Sequence, residues 1–352
     1  MCGERSGYLL VKNYCVKNVK IYDIFVILHF IMITVSEIRE SIAPELRVLN
    51  ERMAAALDSS NELMNQVIHN YMQSKGKQLR PMLVILTAKL FGTVTPEVIS
   101  AAAAVELLHN ASLIHDDVVD DSDTRHGRKT INAVWDNHIA VLVGDFFVSG
   151  ALRQAILTRD LRVIDAVGHL GQMLSVGEMD QICNARFHTL DEENYFKVIS
   201  HKTASLFVSC VRMGCFTVGA SDEDLAVMSE YAELFGRCFQ LRDDIYDYFP
   251  SDDIGKPTGN DLREGKITLP LLYALSLTDD SRHDEMLELS RRESLDSGEI
   301  RRLIDYAVEM GGIDYTFAMI DRLAEQACEL LDRIPQCEAT EALRALVRSL
   351  KN

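Results

Sequence analysis

The sequence predicts an all-α fold, and its composition and residue pattern support that prediction. No proline occurs between Pro96 and Pro250, so this stretch can hold long, uninterrupted helices. The same stretch is rich in Ala, Leu, Met, Glu and Gln and lacks the apolar–polar alternation typical of strands. No Ser/Gly-rich linker or low-complexity segment divides the chain. We therefore expect a single-domain bundle of antiparallel helices.

The amino-terminal residues are expected to form an extension, residues 1–34, ahead of one main domain, residues 35–352. Ile21–Val35 is strongly apolar. As a helix, however, it would span only about 22 Å, short of the roughly 30 Å hydrocarbon core of a bilayer. No small-residue cleavage site of a signal peptide follows it. We therefore favour neither an anchor nor a signal, and a translation start at Met32 is a simpler explanation of residues 1–31.

Two long helices are predicted within the main domain. The first covers Ala101–Asp121 and is entered after Thr95, a good helix-capping residue, and a proline. The second covers Asp222–Tyr248. Its apolar residues recur at helical spacing: Leu225, Met228, Ala232, Phe235 and Phe239.

The charge and cysteine content limit the classes of function. The formal net charge of −17 argues against binding of nucleic acid, which requires clustered Lys and Arg. The eight cysteines include no Cys-x-x-Cys pair and no cluster with zinc spacing. Scattered cysteines of this kind indicate reduced thiols and a cytoplasmic location.

An acidic pattern occurs at the carboxyl-terminal end of both long helices. Asp116-Asp-Val-Val-Asp120 recurs as Asp243-Asp-Ile-Tyr-Asp247. Residues four apart share one face of a helix, so each pattern places carboxylates side by side. Acidic groups at this end oppose the helix dipole, and a bound cation would offset the repulsion. A single copy would also fit a solvated helix end, but two copies in matching contexts favour a site for Mg²⁺, which prefers oxygen ligands.

Other polar residues extend these clusters. Gln240 precedes Asp243 by one helical turn, and His109 lies seven residues before Asp116 on nearly the same face. Basic residues occur in nearby loops: Lys77, Arg80, Arg125, His126, Arg128, Lys129, Lys202, Lys256 and Lys266. In an acidic chain, cations beside both clusters indicate an anionic ligand that is bridged to the protein by metal.

These motifs resemble those of the trans-isoprenyl diphosphate synthases, in particular the medium- and long-chain polyprenyl synthases. The resemblance runs from about Val35 to near the carboxyl terminus. The matching segments, in family order, are Gly76–Pro81, Glu106–Asp121, Val143–Phe147, Gly177–Gln181, Lys202-Thr203, Phe239–Asp247 and Gly255–Lys266. The resemblance implies an isoprenoid synthase fold, in which the helices surround a central active-site cavity. It also implies a homodimer and a prenyltransferase activity that joins isopentenyl diphosphate to an allylic diphosphate.

The resemblance also implies roles for individual residues. The implied Mg²⁺ ligands are Asp116, Asp120 and Asp243, with three ions expected to bind together with the allylic diphosphate. The carboxylates in supporting positions are Asp117, Asp244 and Asp247. The groups expected to bind isopentenyl diphosphate are Lys77, Arg80, His109 and His126. Those expected to bind the allylic diphosphate are Arg125, Lys202 and Lys256, and Lys266 is also expected to bind substrate. The residues expected near the reacting carbons are Thr203 and Gln240.

Two positions bear on substrate affinity and product length. The family usually has an arginine where this chain has His126, and a neutral imidazole donates less strongly than a guanidinium. We expect weaker and more pH-sensitive binding of isopentenyl diphosphate. Beneath Asp116 the first helix carries Ser112, Ala111 and Leu108 instead of an aromatic plug, which favours a long product.

Four alternatives remain open. A short-chain farnesyl or geranylgeranyl diphosphate synthase would share every motif. A terpene cyclase would share the first acidic cluster but not the second, nor Lys77 and Arg80. A metal phosphohydrolase built on His115 and Asp116 would need additional histidine ligands. A non-catalytic partner subunit of a heteromeric synthase would have lost the acidic clusters. We expect at most peripheral contact with membranes, through the lipophilic product.

Overall fold

The computed structural model describes residues 34–73, 76–125, 127–187, 190–249, 258–292 and 294–351. The helices up to the middle of the chain are α1 Val35–Ser41, α2 Ala43–Ala56, α3 Glu62–Met72, α4 Leu79–Phe91, α5 Pro96–Val119, α6 Ile131–Val134, α7 Asn137–Leu157 and α8 Leu161–Phe187. Those that follow are α9 Glu192–Ile199, α10 Ser205–Val218, α11 Asp222–Asp247, α12 Asn260–Arg263, α13 Leu269–Ser276, α14 His283–Ser290, α15 Ser297–Glu309, α16 Gly312–Leu331 and α17 Glu338–Arg348. A π-helical turn, Ser200–Ala204, joins α9 to α10. The predicted all-α fold is confirmed, whereas the proposed extension before residue 34 lies outside the described residues.

The bundle is organised around α10. This helix contacts α4, α5, α8 and α11, and its Phe207, Val211 and Met213 are fully buried. A continuous apolar core extends from α10 to helices at both ends of the chain, from α1 to α17. The core therefore ties together the helices that carry the acidic clusters.

Helix α5 begins and ends slightly differently from its prediction. It starts at Pro96, five residues before the expected Ala101, because Thr95 caps it with an Oγ1 that accepts from the Val98 amide at 3.5 Å. It ends at Val119, so Asp120 occupies the C-cap and Asp121 already has a left-handed φ of 48°. The second predicted helix agrees within one residue: α11 covers Asp222–Asp247, with Ser221 as its N-cap.

Small residues allow α5 to pack closely on α7. All side chains from Ala101 to Ala104 are fully buried, and α7 buries Gly144, Gly150 and Ala151. Both helices are long and apolar enough to cross a membrane by length and composition. However, 72% of the apolar 18-residue segment of α5, and 44% of the corresponding segment of α7, is buried inside the protein.

The basic loop after α5 forms a small hairpin that the sequence did not predict. Strand β1, Thr124–Arg125, pairs antiparallel with β2, Arg128–Lys129. Gly127 lies at the turn with a φ of 73°, a conformation that glycine adopts without steric strain. The hairpin holds Arg125 beside the end of α5.

Candidate active site

Both acidic clusters line one cavity of about 570 Å³. Its walls come from α5, the β1–β2 hairpin, α8, α9, the π-helical turn, α11 and the segment 260–268. The predicted residues on its lining are Asp116, Asp120, Arg125, Lys202, Thr203, Gln240, Asp243, Asp244 and Lys266. Carboxylates and cations from distant parts of the chain therefore line the same cavity.

Within the first cluster, the neighbouring aspartates point to different partners. Asp116 and Asp120 line the cavity. Asp117 is only 4% exposed, and its Oδ1 accepts a hydrogen bond from Arg125 Nε at 2.7 Å. Asp117 thus anchors Arg125, which itself lines the cavity.

Lys202 is held at the cavity by two side chains of α8. Its Nζ donates to Glu178 Oε2 at 2.5 Å and to Gln181 Oε1 at 3.0 Å. The π-helical turn that carries Lys202 approaches α8 so closely that a Cβ on Gly177 would lie 2.9 Å from the backbone N and Cα of Lys202. Only glycine fits there. Glu178 and Gln181 belong to the Gly177–Gln181 motif, but the sequence prediction assigned them no role.

The second cluster belongs to a continuous hydrogen-bonded chain. Thr203 Oγ1 donates to Gln240 Oε1 at 2.6 Å, and Gln240 Nε2 donates to Asp244 Oδ1 at 2.7 Å. The Tyr195 hydroxyl donates to the other oxygen of Asp244, which is only 4% exposed. Asp243 lines the cavity beside this chain. Tyr195 was not predicted from the sequence because it lies 49 residues from Asp244.

Asp247 shares the helical stripe of the second cluster but is absent from the cavity lining. Its two carboxylate oxygens accept from the backbone amides of Asn260 and Asp261, each at 3.0 Å. Asp247 thereby caps the start of α12 and fixes the segment that follows, and its supporting role in catalysis stays a prediction. That segment brings Asp261 and Lys266 to the cavity, and Lys266 pairs with Glu264.

Two further predicted substrate-binding residues, Lys256 and His126, lie outside the described residues.

Burial and mutual repulsion disfavour the ionised carboxylates. Burial raises the pKa of Asp116 to about 6, although Lys202 opposes the shift. Burial likewise raises the pKa of Asp120 above its usual value. The pKa values of Asp244 and Asp261 are also raised, first by burial and then by neighbouring carboxylates. A cation in the cavity would relieve this repulsion.

The donor set fits Mg²⁺ only when other ligands contribute. Among the described residues, no group of three or more His, Cys, Asp or Glu side chains is arranged to hold a metal ion. Mg²⁺ commonly binds through one or two carboxylates together with water and substrate phosphate. Asp116 and Asp120 on one wall, with Asp243 on another, suit that mode of binding.

Three predicted substrate-binding residues lie off the lining of this cavity. Lys77 is exposed, whereas Arg80 is half-buried, with its guanidinium 5.3 Å from the centre of the Phe207 ring. The Nε of Arg80 has no hydrogen-bond partner among the described residues. Burial, followed by the charges of Arg80 and Arg125, lowers the pKa of His109 well below its usual range.

The positions linked to product length also lie off the cavity lining. Ala111 is 1% exposed and Leu108 is 6% exposed. Ser112 is half-buried, and its Oγ donates to the His109 carbonyl at 2.9 Å. On this helix, Leu113 is the apolar residue that lines the cavity.

His115 faces α7. Its Nε2 lies 3.3 Å from the Val141 carbonyl and 3.6 Å from Asp145 Oδ1. Gly144 leaves room for the imidazole, because a Cβ there would lie 2.2 Å from His115 Nε2. This placement disfavours a phosphohydrolase centre built on His115 and Asp116.

Comparisons with known proteins agree with this geometry. Residues 61–307 match the family model described as Polyprenyl synthetase. The octaprenyl diphosphate synthase of Haemophilus influenzae is 33% identical over 321 residues, covering 90% of this chain and 96% of that protein. The crystal structure of a polyprenyl synthase from Caulobacter crescentus complexed with calcium and isoprenyl diphosphate has a TM-score of 0.84 and 28% identity, covering 90% of this chain and 97% of that one.

A geranylgeranyl pyrophosphate synthase structure from Bacteroides thetaiotaomicron has a TM-score of 0.77 and 37% identity, covering 89% of this chain and 97% of that one. These matches extend over nearly the whole length of each relative. The family-model match, residues 61–307, includes both acidic clusters and the helices that surround the cavity. The chain therefore belongs to the polyprenyl synthetase family, and it is a prenyltransferase.

Proposed function

We propose that this protein is a Mg²⁺-dependent trans-polyprenyl diphosphate synthase that condenses isopentenyl diphosphate head to tail with an allylic diphosphate. The observation that carries the proposal is the cavity shared by two acidic clusters and three cations. Asp116 of the first cluster and Asp243 of the second line this cavity. The three cationic side chains on its lining are Arg125, Lys202 and Lys266. An anion as highly charged as a diphosphate needs both metal and cationic side chains.

Asp116, Asp120 and Asp243 would hold the metal together with phosphate oxygens of the substrate. Bound Mg²⁺ acts as a Lewis acid that neutralises the charge on a departing diphosphate. The C. crescentus polyprenyl synthase structure contains calcium together with isoprenyl diphosphate, which supports a role for a divalent ion. We propose three Mg²⁺ ions per active site.

The cationic side chains hold the allylic diphosphate while its ester bond breaks. Lys202 and Arg125 are oriented for this task by Glu178 and Asp117. As the C–O bond breaks, its electron pair leaves with the diphosphate, and the alkene of isopentenyl diphosphate forms the new C–C bond. Thr203 and Gln240 line the cavity near the proposed position of the reacting carbons, where preorganised polar groups stabilise developing charge. The proton lost from isopentenyl diphosphate passes to the released diphosphate.

The second substrate is proposed to bind near Lys77, Arg80 and His109. The Nε of Arg80 is buried and has no hydrogen-bond partner among the described residues, which supports an anionic ligand close by. Buried polar groups normally have a hydrogen-bond partner. A terpene cyclase would have no use for this basic group, so its presence favours the synthase.

We propose a product longer than geranylgeranyl diphosphate. The 33% identity to an octaprenyl diphosphate synthase supports this length, as do the small side chains of Ala111 and Ser112 beneath the site. A shorter product remains the second candidate. It is favoured by the 37% identity to a geranylgeranyl pyrophosphate synthase.

We further propose that the enzyme is a homodimer that pairs through α7. One face of this helix exposes Val141, Leu142, Val148, Leu152 and Ile156, which are 39–60% accessible. Asp145, Ser149 and Arg153 are exposed among them, and a mixed surface rich in large apolar side chains is typical of a protein–protein interface. Covering it in a dimer agrees with a cytoplasmic enzyme whose contact with membranes is at most peripheral and through its product.

The proposed activity can be tested with radiolabelled isopentenyl diphosphate, farnesyl diphosphate and Mg²⁺. Chromatography of the dephosphorylated products should show a polyprenol series that ends beyond the geranylgeranyl length. Chelation of divalent ions should abolish the series, and restored Mg²⁺ should recover it. Release of a cyclic hydrocarbon, or hydrolysis without elongation, would contradict the proposal.

A further inference from the structure

The loop Gly76–Pro81 contains an unusual backbone conformation. Gln78 has a φ of 53° and a ψ of 38°, in the left-handed region that non-glycine residues disfavour. Gln78 is the N-cap of α4, and its carbonyl accepts from the Met82 amide at 3.1 Å. Its side chain makes no capping bond to that helix. The left-handed residue thus sets the angle between Lys77, just outside the helix, and Arg80 in its first turn.

Side chains of α1 and α2 hold Gln78 in this conformation. Arg39 donates from one guanidinium nitrogen to the Lys77 carbonyl at 2.9 Å and from another to Gln78 Oε1 at 3.2 Å. Gln78 Nε2 donates to Asn50 Oδ1 at 2.9 Å, and Asn50 Nδ2 donates to the Leu46 carbonyl at 2.8 Å. Both ends of the Gln78 amide are engaged. The side chain is only 7% exposed, so water cannot easily replace these partners.

The network is specific in its chemistry as well as in its geometry. Asn50 is oriented by its bond to Leu46 and so presents an acceptor to Gln78. Gln78 then presents its own acceptor to Arg39, which can only donate. An arginine or lysine at position 78 would lose this acceptor and place a second cation against Arg39. The residues at positions 39, 50 and 78 therefore depend on one another.

We infer that Arg39 and Asn50 are positioning residues for the diphosphate-binding loop, acting through Gln78 on Lys77 and Arg80. This inference rests on the proposed binding of isopentenyl diphosphate by those two cations. Arg39 touches the loop backbone and the Gln78 side chain, so its loss releases the loop conformation while the acidic cavity keeps its own contacts. The affected step is binding of isopentenyl diphosphate.

The test measures steady-state kinetics of Arg39→Ala with each substrate varied in turn. Loss of these two hydrogen bonds should raise KM for isopentenyl diphosphate by about tenfold. The KM for the allylic diphosphate and kcat at saturation should stay within about twofold of the wild type. Arg39→Lys retains a donor and should give an intermediate KM.

The matched control is Arg47→Ala, because Arg47 is exposed on α2 and has no hydrogen bond or ion pair to the described residues. It should leave both KM values unchanged.

Gln78→Gly provides a second, independent measurement. Glycine adopts the left-handed conformation without strain, so the loop no longer needs the amide contacts. In this background Arg39→Ala should raise KM by a smaller factor than in the wild type, which a double-mutant cycle measures as non-additivity. Thermal unfolding of each variant identifies any general loss of stability.

The outcomes separate this inference from the proposed function. If the wild type elongates farnesyl diphosphate but Arg39→Ala keeps a normal KM for isopentenyl diphosphate, the inference is wrong and the function stands. A parallel loss of kcat and of both affinities would also overturn it, because the role would then be general stability. If the wild type shows no elongation, the proposed function itself fails.

Discussion

Carboxylates that follow one another in this sequence perform different tasks. Asp116 and Asp243 line the cavity, while Asp117 orients Arg125 at 2.7 Å. Asp247 fixes the segment after α11 through two backbone amides. Helical spacing alone cannot distinguish these tasks, because each depends on a partner from elsewhere in the chain.

Asp116→Asn should lower activity and raise the stability of the metal-free protein. Loss of a metal-binding carboxylate removes transition-state stabilisation, so turnover should fall by about 10²–10³-fold. Burial raises the pKa of Asp116 from 3.8 to about 6. In that pH window the folded protein binds more protons than the unfolded chain, so wild-type stability falls as pH rises. The variant should lack this dependence and gain about 1–2 kcal/mol at neutral pH without Mg²⁺.

Chemical denaturation at pH 5 and pH 7.5, with and without Mg²⁺, checks this expectation. Added Mg²⁺ should stabilise the wild type more than Asp116→Asn, since ligands stabilise the state that binds them. Near-normal turnover of the variant would contradict the assignment of Asp116 as a ligand. An unaltered pH profile of stability would contradict the raised pKa.

The position of Lys202 depends on two places where helices approach each other closely. Helix α8 and the π-helical turn meet at Gly177, and the same turn meets α11 at Gly236, where a Cβ would lie 2.5 Å from Ala204 Cα. Departures from regular α-helix of this type are frequently found at functional sites. The two glycines therefore allow Lys202 and Thr203 to reach the cavity together.

Gly177→Ala should displace Lys202 and reduce activity. The added Cβ would lie 2.9 Å from the Lys202 backbone, so the helix and the turn must separate. We expect a loss of about 1–3 kcal/mol in unfolding free energy and a higher KM for the allylic diphosphate. Gly171→Ala on the same helix is the control, because a Cβ there meets nothing within 4 Å. Equal behaviour of the two variants would refute the close-approach argument.

Ser112→Phe should shorten the product. Ser112 is half-buried, one turn beneath Asp116, so an aromatic ring there would obstruct the growing chain. Ala111 is a poorer test position, because it is 1% exposed and a phenyl ring would overpack the core. Chromatography of the dephosphorylated products measures the change, and Ser112→Ala should retain the wild-type distribution. An unchanged distribution in Ser112→Phe would disprove the assignment.

In the molecule as a whole, α5 and α7 have different surroundings. The apolar residues of α5 are enclosed by other helices, whereas α7 leaves one apolar face exposed. The exposed apolar side chains of α7 are the surface through which we propose that two copies of the chain pair.

Combined Leu152→Arg and Ile156→Arg should convert the dimer into a monomer. The two residues are 46% and 52% exposed and lie one helical turn apart, so the substitutions would bury four uncompensated charges in a symmetric interface. Sedimentation velocity measures the oligomeric state. Val308→Arg on α15, whose neighbours are α13, α14 and α16, is the matched control and should remain dimeric. A monomeric wild type, or a dimeric double variant, would exclude this interface.

The amino-acid sequence by itself determined the helical fold class, the two acidic clusters and the family. These properties are encoded locally, since helix propensity, capping and i, i+4 spacing act within a few residues. The limits of α5 and α11 could therefore be anticipated to within a few residues.

Only the tertiary structure decided which partner each polar group has. The fold pairs Asp117 with Arg125, and it pairs Asp247 with the backbone at the start of α12. It adds three residues to the site that the sequence did not predict: Glu178, Tyr195 and Asp261. It leaves three predicted residues off the cavity lining: Lys77, Arg80 and His109. It also placed Gln78 in a left-handed conformation under the control of Arg39. Such contacts join residues up to 49 positions apart, and no local periodicity encodes them. They follow from the packing of the helices, which brings distant side chains together only once the core has formed.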